Sequence, residues 1–151
     1  MFHYKRLEIE AHPQVYDPSE DTFLLLDVLD FNTSDRIFEI GAGCGIISLF
    51  CAKQGANVVC SDVNPFATDL IKGNYEKNKP ILKGAIEIRR GDLFSVLKSN
   101  EKFDIIIFNP PYLPTMQEQR VGGWFDKAVD GGTDGLSVTK PFIEGLNRPN
   151  L

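Results

Sequence analysis

Along the chain, short apolar runs alternate with longer segments in which only one face is apolar. The short runs, rich in β-branched and aromatic residues, predict strands, and the longer segments predict helices. Strands that alternate with helices favour right-handed β-α-β units, so we predict an α/β fold on a parallel sheet. The predicted strands cover 4–10, 36–40, 57–61, 85–90 and 103–108, and the predicted helices cover 18–31, 46–55, 65–78, 93–98 and 136–146.

Local signals mark the ends of these helices. Ser19 is placed to cap the first helix, whose leucines at 24–26 and 29 predict a broad buried face. Gly55 ends the second helix, and Pro65, a favoured first helical residue, begins the third. The strand at 4–10 has the alternation of an exposed strand.

Residues 113–135 form a predicted glycine-rich loop, which either covers a substrate or only connects its neighbours. Within it, Trp124 and Phe125 could contact a substrate, although a satellite hydrophobic cluster is the favoured interpretation.

Composition restricts the class of protein. The chain has 151 residues, of which 42% are hydrophobic and 25% charged, as expected for one globular domain. No apolar run reaches the ~20 residues of a membrane helix, and the first ten residues are not an apolar signal segment. We therefore predict a soluble, cytoplasmic protein. A net charge of −5 counts against a nucleic-acid partner.

The three cysteines, Cys44, Cys51 and Cys60, are odd in number and form no C-x-x-C motif. We interpret them as buried, reduced thiols and predict no metal site.

A glycine-rich turn, EIGAGCG, follows the strand at 36–40. Gly41 and Gly43 let the backbone turn tightly and approach a ligand closely. The turn does not match the nicotinamide fingerprint, because Ile46 stands where a small residue is required. Glu39, just before the glycines, would repel a pyrophosphate and suit a ligand with a cationic amino group.

Two further acidic residues follow the next two strands. Asp62 is placed to accept hydrogen bonds from ribose hydroxyls, and Asp92 could accept one from an adenine amine. A ribose, an adenine and an ammonium group without a phosphate describe S-adenosylmethionine. We therefore predict this cofactor.

Four motifs in order, EIGAGCG, SDVNP, GDLF and NPPY, resemble those of a class I methyltransferase with a Rossmann-like fold. The segment VYDPSEDTFLLLDVL resembles the archaeal and eukaryotic branch of the HemK/PrmC-like glutamine methyltransferases. That resemblance implies methylation of the glutamine in the GGQ motif of a peptide-release factor. It also implies that Asp21 and Thr22 lie near the methionine end of the cofactor, and that Asp92 and Leu93 frame its adenine.

The NPPY motif follows the strand at 103–108, where open α/β sheets bind ligands. An amide nitrogen is a poor nucleophile, so it must be held in line with the methyl group. The Asn109 side-chain oxygen and the Pro110 carbonyl could each accept one of its N–H groups, and the prolines stiffen that pair. Tyr112 could pack its ring against the flat amide. Asn109 is also expected to contact the cofactor.

Three alternatives to glutamine methylation remain open. The acceptor could be an exocyclic amine of a nucleic-acid base or a protein lysine, and a non-catalytic cofactor-binding scaffold is the alternative without enzyme activity. The resemblance also implies a small zinc-binding activator protein, which we expect on the edge strand 85–90.

A complete sheet of this class has about seven strands, in the order 3-2-1-4-5-7-6, whereas four core parallel strands are recognised here. We expect a single methyltransferase domain over 1–151 whose sheet lacks its C-terminal strands. The apolar strand at 103–108 would then be an exposed edge, and the chain would self-associate or be less stable than a longer form.

Overall fold

The computed structural model describes residues 1–116 and 122–147. Its strands are β1 (Phe2–Tyr4), β2 (Leu7–Ile9), β3 (Arg36–Ile40), β4 (Asn57–Asp62), β5 (Ile86–Arg90) and β6 (Ile105–Phe108). Its helices are α1 (Glu20–Val28), α2 (Ile46–Gln54), α3 (Pro65–Asn78), α4 (Trp124–Val129) and α5 (Thr139–Gly145), with 3₁₀ turns at Lys79–Ile81 and Leu93–Val96. Parts of the predicted loop, 117–121, and of the tail, 148–151, lie outside the described residues.

The last four strands form one parallel sheet in the order β5-β4-β3-β6. β3 lies between β4 and β6 and pairs in register with both. Because the chain leaves β3 towards β4 and returns on its other side as β6, the switch point of the sheet lies between β3 and β6. Ligands bind at the carboxyl ends of the strands at such a point. The predicted α/β fold and parallel sheet are confirmed.

Side chains pack on both faces of the sheet, as the alternation along β3 requires. On one face, Ile37 joins α2, α3 and the first two strands in the larger hydrophobic cluster. On the other face, Phe38 packs with Phe94 and Phe142. α5 therefore contacts the sheet through Phe142, while its Ile143 stays 56% exposed. In the described part of the chain, no helix is both long and apolar enough to cross a membrane.

The predicted strand at 4–10 is confirmed only over β2, and its predicted exposure is wrong. β1 and β2 form an antiparallel hairpin, whose turn residues Lys5 and Arg6 have φ values of 43° and 71°. Positive φ at both central positions is the geometry of a type I′ turn, which matches the twist of the strands. Leu7 and Ile9 are fully buried, because the hairpin covers α2 and α3.

Two buried asparagines of α3 occupy the other edge of β2. The Asn78 side chain accepts a hydrogen bond from Glu8 N at 2.9 Å and donates one to Glu8 O at 2.7 Å. Asn74 accepts one from Glu10 N at 2.9 Å and also donates to Cys44 O at 2.9 Å. The side-chain amides thus take the place of a neighbouring strand.

Smaller differences concern the helices. Of the four leucines predicted to bury one face of α1, only Leu26 is buried, and Leu24 is 66% exposed. The predicted helix 93–98 is a short 3₁₀ turn, and the predicted glycine-rich loop contains α4. The expected end of α2 at Gly55, with φ of 120°, and the start of α3 at Pro65 are confirmed.

Candidate active site

A cavity of about 410 Å³ opens at the carboxyl ends of β3, β4 and β6. The cavity is formed by the loops that follow these strands, together with the start of α1 and one face of α4. All of the residues predicted for the site line it, namely Asp21, Thr22, Glu39, Gly41, Gly43, Asp62, Asp92, Leu93, Asn109, Pro110 and Tyr112. The structure therefore brings these residues together around one cavity, and their roles stay predictions.

The glycine loop between β3 and α2 forms the floor of the cavity. Gly43 has φ of 56° and Gly45 has φ of 82°, values that L residues rarely adopt. A Cβ added at Gly45 would lie 3.0 Å from Ile71 Cγ2, so this position also needs glycine for packing. These constraints hold the backbone close to the cavity.

Asp62, at the end of β4, anchors this loop. Its Oδ2 accepts a hydrogen bond from Gly43 N at 2.9 Å, and its Oδ1 accepts one from Asn64 N at 2.9 Å. Burial raises the pKa of this carboxyl, although the backbone N–H groups of Asn64 and Gly43 oppose the shift. The backbone N–H of Val63 opposes the shift as well. A carboxylate has about four acceptor positions, so the side chain can also accept from ligand hydroxyls.

Glu39 lies deeper, at the end of β3, and only 3% of it is exposed. Burial raises its pKa from 4.5 to about 8, and Asp62 adds to the rise, while hydrogen bonds from the Ser48 hydroxyl and backbone oppose it. The carboxyl is therefore mostly protonated at neutral pH. A cationic group entering the cavity would favour its ionised form.

Asp92 and Leu93 form the wall beyond β5. Leu93 has φ of 43°, a strained conformation for a leucine, and it opens the 3₁₀ turn Leu93–Val96. Strained residues of this kind persist where the surrounding structure holds them, often at functional sites. Here the Leu93 side chain packs against the hydrophobic cluster around Phe94.

The turn after β6 is joined to the start of α1. Asn109 Nδ2 donates to Asp21 Oδ2 at 3.0 Å, and the Tyr112 hydroxyl donates to the same oxygen at 3.3 Å. Asp21 Oδ1 accepts from Thr22 N at 2.7 Å. Within the described residues, neither Asn109 Oδ1 nor the Pro110 carbonyl accepts a hydrogen bond. Both atoms are therefore available to a ligand.

The ionisation of Asp21 agrees with these contacts. Burial acts to raise its pKa, but the hydrogen bonds from Asn109, Thr22 and Tyr112 together hold the pKa below its ordinary value. The charge of Asp21 in turn raises the pKa of Tyr112, which keeps the phenol a donor. Sequence reasoning did not foresee this contact between residues 88 positions apart.

The segment 122–135 forms one side of the cavity mouth. It is attached to the chain after the NPPY motif by backbone hydrogen bonds from Leu113 N to Val129 O at 3.0 Å and from Gly131 N to Leu113 O at 2.9 Å. Trp124 and Lys127 line the cavity, with the Lys127 ammonium 4.4 Å from the centre of the Trp124 ring. Trp124 is thus part of the cavity rather than of a separate cluster, while Phe125 packs near Tyr16.

Sequence reasoning missed Lys127 and also Gln14, whose side-chain oxygen accepts a hydrogen bond from Trp124 N at 3.1 Å. No motif marks either residue. The only signal for Lys127 was its spacing of three residues from Trp124, which places both on one face of a helix. Gln14 had no such signal.

Cys44 lines the cavity, but none of the three cysteines is placed as a reactive thiol. All three are free and buried, and burial raises the pKa of each thiol, that of Cys44 to about 12. Such thiols are inert. Among residues 1–116 and 122–147, no group of three potential metal ligands is close enough to hold an ion.

Sequence comparison with known proteins identifies a family and several relatives of this chain. The chain matches the family model described as the methyltransferase small domain over residues 7–128. A Methanocaldococcus jannaschii protein, named provisionally as a protein N5-glutamine methyltransferase, is 41% identical over 142 residues, covering 93% of this chain and 68% of that one. Human methyltransferase HEMK2 is 33% identical over 143 residues, covering 88% and 65%. The Schizosaccharomyces pombe eRF1 methyltransferase catalytic subunit mtq2 is 29% identical over 161 residues, covering 93% and 70%.

Solved structures share the fold. An RNA methyltransferase from Salinibacter ruber in complex with S-adenosyl-L-homocysteine superposes with a TM-score of 0.50 at 22% identity, over 62% of this chain and 60% of that one. The sheet and its cavity are those of a class I methyltransferase. The chain belongs to the methyltransferase small domain family, and the predicted kinship with HemK/PrmC-like enzymes is confirmed. It spans 68% of the length of the Methanocaldococcus jannaschii relative and 65% of human HEMK2.

Proposed function

We propose that this chain carries the active site of an S-adenosylmethionine-dependent N-methyltransferase that modifies the side-chain amide of the glutamine in the GGQ motif of a peptide-release factor. The observation that carries the proposal is the NPPY turn, where Asn109 Oδ1 and the Pro110 carbonyl accept no hydrogen bond from residues 1–116 or 122–147. Two acceptors on a stiff turn suit a planar donor with two N–H groups.

The cavity residues fit the cofactor. Asp62 can accept hydrogen bonds from two adjacent hydroxyls, and Glu39 can balance a cationic amino group near the glycine loop. Asp92 and Leu93 would flank an adenine. Thr22, Gly41 and Gly43 lie where a methionine end would pass, close to Asp21 and Asn109. S-adenosylmethionine supplies an activated methyl group on its sulfonium when bound.

The residues of the NPPY turn would act on the acceptor amide. The Asn109 side-chain oxygen and the Pro110 carbonyl would each accept one amide N–H, which fixes the amide plane and the direction of the nitrogen lone pair and increases the electron density on the nitrogen. The Tyr112 ring limits the rotation of the amide plane. Methyl transfer would form an N–C bond as the C–S bond of the sulfonium breaks, and one amide proton would leave to water. Catalysis of this kind depends on orientation and hydrogen bonding, without a dedicated general base.

The names of relatives support the choice of acceptor. Those names describe N5-glutamine methylation and a methyltransferase of the release factor eRF1. A protein lysine is disfavoured by the same site, because the turn offers acceptors for two N–H groups of a flat donor. A base amine is flat as well, and it is disfavoured instead by the net charge of −5. We also propose that residues 1–151 act as one domain and that the protein is cytoplasmic, where release factors work.

Transfer of a labelled methyl group tests the proposal. The protein is mixed with labelled cofactor and with a release factor, its GGQ→GGE variant, tRNA, rRNA or DNA, and the modified residue is mapped by mass spectrometry. Label on the GGQ glutamine alone is the expected result. Label on a lysine, or on nucleic acid in preference to the release factor, would contradict the proposal, and binding of cofactor without any transfer would favour the scaffold alternative.

We further propose that a small zinc-binding activator protein docks on the outer edge of β5. This strand is an edge of the sheet within the described residues, and the S. pombe relative is named a catalytic subunit. Arg89 is held by Glu101 at 2.6 Å and its side chain is 9% exposed, so it does not block that edge as a free charge.

Hydrogen exchange measures this docking directly. The amides of β5 should gain protection when the activator is added. Exchange rates that stay the same, with binding proven separately, would place the partner elsewhere.

A further inference from the structure

Asp21 has contacts that differ from those of a simple cofactor ligand. Its two carboxylate oxygens have separate partners. Oδ1 is bound by the backbone N–H and hydroxyl of Thr22, at 2.7 and 3.3 Å, inside the first turn of α1. Oδ2 is bound by Asn109 Nδ2 and by the Tyr112 hydroxyl. One oxygen therefore anchors the carboxylate to the helix, and the other reaches across to the NPPY turn.

The chemistry of this contact sets the direction of the Asn109 amide. A carboxylate only accepts hydrogen bonds, whereas an asparagine amide has one donor end and one acceptor end. Rotating the Asn109 amide by half a turn would place its oxygen against Asp21 Oδ2 and would exchange a charge-assisted hydrogen bond for repulsion. The orientation with Nδ2 towards Asp21 is therefore strongly favoured, and Oδ1 is left for an acceptor.

We propose that Asp21 is a positioning residue for methyl transfer, because its carboxylate holds the Asn109 amide with its oxygen available to the acceptor N–H and fixes the Tyr112 ring beside it. The inference rests on the proposed amide methylation. Asp21 keeps its ionised state across neutral pH, since the four hydrogen bonds from Asn109, Thr22 and Tyr112 hold its pKa below the ordinary value against the effect of burial.

The variant Asp21→Asn removes the charge and keeps the shape. An amide at position 21 can face Asn109 in either direction, so it can also donate to Asn109 Oδ1 and occupy the atom that the acceptor needs. We expect kcat, measured at saturating cofactor and acceptor, to fall about tenfold or more. Asp21→Glu keeps the charge but displaces it, and should lower kcat as well. Glu20→Gln is the matched control, because this exposed neighbour loses the same charge at the same helix end and should leave kcat unchanged.

A spectroscopic measurement separates this inference from the proposed function. The Asn109 side-chain NH₂ signals, assigned by their loss in Asn109→Ala, should be shifted downfield by the charged partner in the protein without ligands. They should move upfield in Asp21→Asn and stay in place in Glu20→Gln.

An unchanged NH₂ shift in Asp21→Asn, or a raised cofactor Kd with unchanged kcat at saturation, would overturn the positioning role. If the wild-type protein methylates no glutamine at all, the proposed function fails, while the NH₂ shift still decides whether Asp21 orients Asn109.

Discussion

Replacing Glu39 by glutamine should stabilise the protein at neutral and alkaline pH. The carboxyl has a pKa of about 8 when folded and 4.5 when exposed, so the folded state binds its proton more tightly. Its contribution to stability is therefore fully present below pH 4.5 and is lost as the pH rises through about 8. Glutamine has the same shape, can still accept the Ser48 hydrogen bond, and carries no charge at any pH.

The size of the effect follows from the two pKa values. At about 1.4 kcal/mol per pH unit, protonating Glu39 on folding costs about 3.5 kcal/mol at pH 7, which lies 2.5 units above 4.5. Above pH 8 the cost levels off near 5 kcal/mol on the same scale. Below pH 4 it vanishes, and the variant and the wild-type protein should be about equally stable.

Urea denaturation at pH 4, 5.5, 7 and 8 measures this difference. The free energy of unfolding of Glu39→Gln minus that of the wild type should grow with pH, whereas the exposed control Glu76→Gln should show no such trend. If the difference does not grow, Glu39 is ionised in the folded protein and the reasoning from its burial is wrong.

The same substitution should weaken cofactor binding. A cationic amino group near Glu39 would favour the ionised carboxyl, so binding to the wild type near pH 7 should release protons to the buffer. Calorimetry in buffers of different ionisation enthalpy detects that release, and it should be absent in Glu39→Gln.

Three further outcomes can be checked together. Asn109→Ala should lower kcat about a hundredfold or more with little change in cofactor Kd, because it removes one of two acceptors for the amide; a near wild-type rate would refute the acceptor pair. Asp62→Ala should raise the cofactor Kd at least about tenfold, since charge-assisted bonds to the ribose contribute about 1.5–3 kcal/mol, and an unchanged Kd in calorimetry would move the ribose elsewhere. Asn74→Ala should destabilise the fold by about 2 kcal/mol, because it removes the partners of Glu10 N and Cys44 O. Gly73→Ala beside it should stabilise α3 by about 0.5–1 kcal/mol, because an added Cβ meets nothing within 4 Å. Equal midpoints of thermal unfolding for the two variants would contradict both arguments.

The sheet and the site could be predicted because their signals are local. Apolar runs such as 36–40 and 103–108 are strands in almost the same positions. Parallel strands bring the residues at or just after their carboxyl ends, such as Glu39 and Asn109, to one edge of the sheet. The hairpin was missed because Lys5 and Arg6 are not typical turn residues. Asn74 resembled any polar residue of an amphipathic helix.

One contact of the site could not be predicted because it joins distant segments of the chain. The pairing of Asp21 with Asn109 joins two parts of the chain that are 88 positions apart, and no pattern within either part predicts it.

Helix α4 was not predicted because its flanking glycines, at 122–123 and 131–132, suggested a loop over the whole segment. In the structure the same glycines only mark its ends.

The hydrogen bonds from the α3 asparagines also imply that the β1–β2 hairpin folds only after α3 has been synthesised. An isolated two-stranded hairpin is at best marginally stable in water, and the edge of β2 has its partners 70 residues further along the chain, at Asn78. At ribosomal rates of about 5–20 residues per second, residues 2–10 leave the exit tunnel on the order of 4–14 seconds before those partners do. The nascent amino-terminal segment therefore remains unfolded, and open to chaperones and proteases, until α3 has emerged.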